Sequence, residues 1–212
     1  MKIVVKFGGS SLASAEQFKK VADIIHADPH RRFVVPSAPG KRFDGDTKVT
    51  DMLYACYDLA EAGKDFDGAL ADIKTRYEEI IEGLGLNLTL DKEFETIHEQ
   101  FRLKAGRNYA ASRGEYLNGI VLANYLGFEF VDAATVIRFD DAGNFEADRT
   151  DLILSSRLKD VEYAVVPGFY GAQDDGVVTT FSRGGFDISG FFVGKAVPSG
   201  VFENWAEVFG FP

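Results

Sequence analysis

Short, nearly continuous apolar runs alternate along the chain with longer stretches in which apolar residues recur every three or four positions, the signatures of buried strands and of amphipathic helices. Ile3–Val4–Val5, Phe33–Val34–Val35, Phe128–Val131 and Tyr163–Pro167 read as strands, with Val201–Trp205 as a last candidate. Ser14 with Gln17 three residues later reads as a capping box, opening a helix that carries Phe18, Val21, Ala22 and Ile25 and runs to about Ala27, where Pro29 stops it. Residues 41–48 mix charge with glycine and read as a surface loop before a helix capped by Thr50 and ending near Ala62. Two more helices follow, one with Leu70, Ile73, Tyr77 and Ile80, the next with Leu90, Phe94, Ile97 and Phe101. A fifth runs from about Asn108 to Leu126 and ends at Gly127. A hairpin across residues 140–143, a helix over 148–158, a period-two stretch at Val177–Phe181 and a helix over 188–197 complete the pattern. Alternating strands and helices predict an α/β fold: a three-layer α/β/α sandwich whose central sheet is mostly parallel.

Composition narrows the picture. With 212 residues and 46% hydrophobic content the chain can bury one large core, so one domain is expected. A formal net charge of -10 repels nucleic acid and anionic membranes. The one cysteine, Cys56, lies in an apolar helical pattern and reads as a buried thiol in a reducing, cytoplasmic setting. His26, His30 and His98 lack ligand spacing, so any metal is expected to arrive with a substrate.

Candidate chemistry sits where strands end. Lys6 precedes Gly8, Gly9 and Ser10 at the end of the first apolar run, where backbone N–H groups and a lysine charge suit an oxyanion such as phosphate. Neither G-x-x-x-x-G-K-[ST] nor G-x-G-x-x-G occurs, which excludes the commonest mononucleotide and dinucleotide loops. Ligands of open parallel sheets bind at the carboxyl ends of strands, and here those ends carry residues 6–9, 37–40, 168–171 and 183–187. Together they could assemble phosphoryl transfer: the glycines and Lys6 for the phosphate, Arg183 for a carboxylate, Glu115 for an ammonium, Asp187 to orient charge. Singly, each has another explanation: Arg183 and Glu115 as solvated charges, Asp187 as a helix N-cap, Ser37 as a turn residue.

Taken in order, VVKFGGSS, VVPSAPG with TDML, SRGEYLNG, and VPGFYGAQDDG with VTTFSRGGFD resemble the aspartate kinase (aspartokinase) branch of the amino acid kinase family over the whole chain. The resemblance implies a carbamate-kinase-like fold in one kinase domain over 1–212, with a helical insertion at about 50–105. It implies transfer of the γ-phosphate of ATP, with Mg2+ on the nucleotide, to the side-chain carboxylate of L-aspartate, the first step toward lysine, threonine and methionine. Lys6 and Asp187 resemble the catalytic residues, and Lys6, Gly8, Gly9, Ser10, Gly184 and Gly185 the phosphate-binding ones. Arg183 resembles the clamp on the substrate α-carboxylate and Glu115 the partner of its amino group, while Ser37, Thr50 and Phe169 match other substrate contacts. L-aspartate and ATP are thus the expected partners, and a homodimer is left open.

Two departures stand out. Phe186 occupies a position where the family has serine, and Ala206 and Glu207 replace the Thr-Asp of a later motif. The chain stops short of the family's second phosphate-binding lysine and its regulatory ACT domains, so the resemblance covers the amino-acid half of the kinase, without feedback by lysine or threonine. The alternative is a non-catalytic remnant or amino-acid-binding module of the same fold.

Overall fold

The computed structural model describes residues 1–182, 185–198 and 200–206, with backbone only at 185–187. Its strands and helices run β1 (Lys2–Phe7), α1 (Ala15–Ala27), β2 (Arg31–Pro36), α2 (Val49–Glu61), α3 (Asp67–Gly83), α4 (Asp91–Arg102), α5 (Arg107–Leu126), β3 (Glu129–Phe130), α6 (Ala147–Leu158), β4 (Ala164–Val165), β5 (Tyr170–Ala172), β6 (Val178–Thr180), α7 (Gly185–Ala196) and β7 (Gly200–Trp205). Five strands form one sheet in the order β3-β4-β2-β1-β7, every pairing parallel. The expected α/β architecture with a parallel central sheet is therefore present.

Strand alternation divides the core into two layers, because successive side chains leave a strand on opposite faces. Ile3, Val5 and Phe7 of β1 and Val34 of β2 pack with the apolar stripes of α1 to α5. Val4, Phe33 and Val35 face the other way, against α6, α7 and the segment around Val136–Phe139. Helices α2 to α4 follow one another between β2 and α5, and their Leu53, Tyr57, Ile73, Tyr77, Phe94 and Phe101 belong to the first layer. Cys56 is buried among them, its Sγ donating to the Phe66 carbonyl at 3.8 Å, and burial pushes its thiol up to about 12. Among the described residues no helix is long and apolar enough to cross a membrane.

Three local expectations are corrected. Thr50 does not cap α2: the helix begins at Val49, Lys48 holds the cap position without a side-chain bond, and the Val49 N–H donates to the Pro39 carbonyl instead. The Ser14 hydroxyl does accept from the Gln17 N–H at 3.4 Å, but Gln17 Oε1 finds no donor among the described residues, so only half of the capping box forms. The period-two stretch at 177–181 does form a strand, in a sheet of its own. Its residues 178–180 pair antiparallel with Tyr170–Ala172 as a separate ribbon. Residues 133–147 carry a helical turn at Ala133–Thr135 and a single antiparallel bridge, Phe139 to Phe145, in place of a full hairpin.

Candidate functional site

The carboxyl ends of β1 and β2 lie side by side at the centre of the sheet, Phe7 opposite Pro36. Lys6, half-buried, pairs in register with Val35 and Asn204 and by alternation shares the face of Val4. Beyond Phe7 the chain turns at once into a short helical turn, Gly9–Leu12, whose Ser11 N–H donates to the Gly8 carbonyl at 3.1 Å. The first N–H groups of a helix have no partner inside it, and those of Gly9 and Ser10 meet no acceptor among the described residues. Two adjacent donors of this kind are chemically suited to an anion. The Gly8 N–H donates to the Trp205 carbonyl at 3.1 Å.

The loop after β2 presses against this turn. The Gly40 N–H donates to the Gly9 carbonyl at 2.8 Å, and a Cβ on Gly40 would stand 2.7 Å from Gly9 C and 2.8 Å from Ser10 N. Only glycine permits that approach. Arg76 of α3, buried, holds the loop from behind: Nη2 donates to the Gly40 carbonyl and Nη1 to that of Thr47, each at 3.0 Å. Its counter-charge, Asp46, lies 3.7 Å away and is tied to Arg42 at 2.8 Å, and that contact holds the Asp46 carboxyl well below the usual carboxylate range.

Helix α5 supplies the third wall. Glu115 is 1% exposed, and its Oε1 accepts from the Ala38 N–H at 3.4 Å. Burial pushes its carboxyl up to about 8, opposed by hydrogen bonds from its own backbone and from Ala38 and by the charge of Arg113. Its Oε2 is buried with no partner among the described residues. Asn118, three residues on and so on the same helix face, donates to the Ser37 carbonyl at 2.8 Å and leaves its own Oδ1 unpartnered. Two buried polar atoms without partners are costly unless a ligand completes them. Between the two buried charges of this helix, Gly114 lets α5 touch the loop, since a Cβ there would meet Ala38 Cβ at 2.7 Å.

Of the remaining candidates, Ser37 is buried in the same loop, and its N–H donates to the Phe7 carbonyl at 3.1 Å. Phe169 is joined to it through Gly168, whose N–H donates to the Pro36 carbonyl at 3.2 Å. Phe169 adopts φ 83°, a left-handed conformation that side chains resist, and its N–H donates to Ser189 Oγ of α7 at 3.1 Å. Thr50 lies in the first turn of α2, half-buried. Arg183 and Gly184 lie outside the described residues, as do the side chains of Phe186 and Asp187, while Gly185 is where α7 begins. The structure thus brings the Lys6–Ser10, Ser37–Gly40, Glu115 and Phe169 segments to one sheet edge. Sequence reasoning did not single out Arg76 or Asn118 as individual residues. Asn118 was visible as a polar residue in the apolar stripe of α5, whereas Arg76 looked like one more helix-surface charge.

A model of the amino acid kinase family matches residues 1–210. Aspartokinase 3 of Bacillus subtilis is 36% identical over 224 residues, covering 97% of this chain and 48% of its own. Among solved structures, aspartate kinase of Clostridium acetobutylicum superposes with a TM-score of 0.94 at 44% identity, over 100% of this chain and 49% of that one. Escherichia coli aspartokinase III in complex with aspartate and ADP does so with a TM-score of 0.81 at 25% identity, over 99% and 50%. The chain spans about half the length of the relatives it matches.

Proposed function

Because the chain belongs to the amino acid kinase family, we propose that it takes part in moving the γ-phosphate of ATP to the side-chain carboxylate of L-aspartate, giving 4-phospho-L-aspartate. The observation that carries this reading is Glu115: a buried carboxyl with one unpartnered oxygen, facing a loop at the edge where the Gly9 and Ser10 N–H groups also lie. A substrate ammonium completes Glu115 Oε2 and Asn118 Oδ1. The family resemblance of Arg183 makes it the clamp on the α-carboxylate, which directs the side-chain carboxylate toward Gly9 and Ser10. There a carboxylate oxygen attacks the γ-phosphorus, and the bond from phosphorus to the β,γ-bridging oxygen breaks, releasing ADP. The Gly9 and Ser10 N–H groups and the Lys6 charge stabilise the phosphoryl oxygens as charge shifts between them. Magnesium enters as part of the MgATP substrate. The same resemblance assigns the chain to one kinase domain.

The test is ADP release from MgATP with L-aspartate, together with capture of the acyl phosphate by hydroxylamine. Aspartate-dependent release of ADP with hydroxamate formation is expected. A second reading, amino-acid binding without turnover, is favoured by Phe186 in place of the family's serine. Aspartate binding by calorimetry with no hydroxamate would select it.

A further inference from the structure

On the far side of α5 from the loop contacts, Tyr109, Arg113 and Tyr116 follow one another at helical spacing and line a cavity of about 140 Å³ that opens against Lys92, Glu93, Thr96 and Ile97 of α4. Arg113 is its innermost charge, 7% exposed. Its guanidinium lies 4.2 Å from the ring centre of Tyr116, 4.7 Å from that of Tyr109 and 5.5 Å from that of Tyr170. Aromatic faces stabilise a cation but accept none of its N–H donors in the plane. The guanidinium makes one hydrogen bond, from Nε to the neighbouring Ser112 hydroxyl at 3.1 Å. Among the described residues no carboxylate pairs with it and neither Nη hydrogen-bonds to protein; both Nη keep access to the solvent of the cavity. Asp132, beside Tyr170, accepts from the Tyr170 hydroxyl at 2.8 Å.

A largely buried guanidinium whose Nη donors meet no protein acceptor and open onto a cavity is placed to exchange water for a ligand. The matching ligand is an acceptor with two oxygens in one plane, suited to the guanidinium fork. The cavity mouth adds a second cation, Lys92, with Glu93 beside it limiting the charge of the guest. We propose that this cavity between α4 and α5 binds a small oxyanion, a carboxylate or a phosphate, on Arg113. The cavity opens away from the Ala38 loop, although the Arg113 charge also acts on Glu115, and the proposal does not depend on the phosphoryl-transfer reading.

The test follows the Arg113 Nε–H signal by nitrogen-15 NMR while acetate or inorganic phosphate replaces chloride at constant ionic strength. A saturable shift is expected with at least one of them. Saturation by acetate alone identifies the guest as a carboxylate, and by phosphate alone as a phosphate. Lys92→Ala, at an exposed position, should weaken that binding several-fold. In Arg113→Met the ring signals of Tyr109 and Tyr116 should stop responding to either anion. A response of the unmodified chain that stays linear and chloride-like, or a saturable ring response that survives Arg113→Met, overturns the proposal.

Discussion

Arg113 and Glu115 stand two residues apart on one helix, both buried, yet the fold treats them in opposite ways. Glu115 faces a loop that offers one backbone N–H, and burial raises its carboxyl to about 8, so at neutral pH it rests mainly as the neutral acid. Arg113 keeps its charge and is caged by tyrosine rings. The difference teaches how a helix tolerates two desolvated ionisable groups within one turn: the one that can neutralise does so, and the one that cannot is given π faces. It also marks which of the two a ligand switches. On the proposed reading, an ammonium arriving at Glu115 would draw out its proton, whereas an anion arriving at Arg113 would meet a fixed charge.

The largest expected effect follows from that asymmetry. Glu115→Gln should weaken L-aspartate binding by about 2–5 kcal/mol, the cost of removing one partner of a buried charge pair, while Arg113→Met should leave aspartate affinity within twofold. Calorimetry on both variants checks this, and equal losses would erase the distinction. Next, Gly114→Ala places a Cβ 2.7 Å from Ala38 Cβ and should cost about 1–3 kcal/mol by overpacking, more than helix propensity returns. Urea denaturation measures it, and aspartate affinity should fall with it because Ala38 supplies the N–H on Glu115.

The pH dependence sharpens the comparison further. Glu115 has a folded value near 8 against 4.5 for the ordinary carboxyl, so between those values the folded chain keeps a proton that the unfolded chain has lost. Its contribution to stability is present in full below 4.5 and is lost as pH rises toward 8. Glu115→Gln should therefore flatten this part of the stability profile, and Arg113→Met should extend it to slightly higher pH, since the Arg113 charge opposes the rise. By the same linkage, aspartate binding near neutral pH should release a proton, seen as a dependence of the calorimetric heat on buffer ionisation that Glu115→Gln removes. The smallest effects are expected from single replacements that relieve an awkward residue. Arg113→Met should leave stability unchanged or raise it by about 1 kcal/mol, as apolar replacements of buried ions often do. Phe169→Gly should raise it by about 1 kcal/mol by relieving the left-handed backbone. Thermal unfolding of each reads the result.

Much of this arrangement was legible in the sequence, for identifiable reasons. Ile3 to Gly9 announces a buried strand and a tight turn because both signals are local, and the parallel sheet follows from alternating runs of two periods. The ribbon of Tyr170–Ala172 with Val178–Thr180 was not legible as such, since three-residue strands carry too little periodicity to reveal their partner. Thr50 suggested a cap, but the donor that mattered belonged to Val49 and its acceptor to Pro39, ten residues back and near only in the folded chain. Glu115 was recognisable as a candidate but not as a neutral acid, because its environment comes from Ala38. Arg113 shows the same limit: Tyr109 and Tyr116 are its helical neighbours, but Tyr170 closes the cage from a distant strand.

The burial of Cys56 has a practical side. A thiol held near 12 and fully enclosed presents almost no thiolate to an alkylating reagent. Since it is also the one cysteine in the sequence, the chain should react little with maleimide dyes. A cysteine introduced at exposed Thr96 would then be the sole labelled position, placing a fluorophore at the mouth of the Arg113 cavity without first removing any native residue.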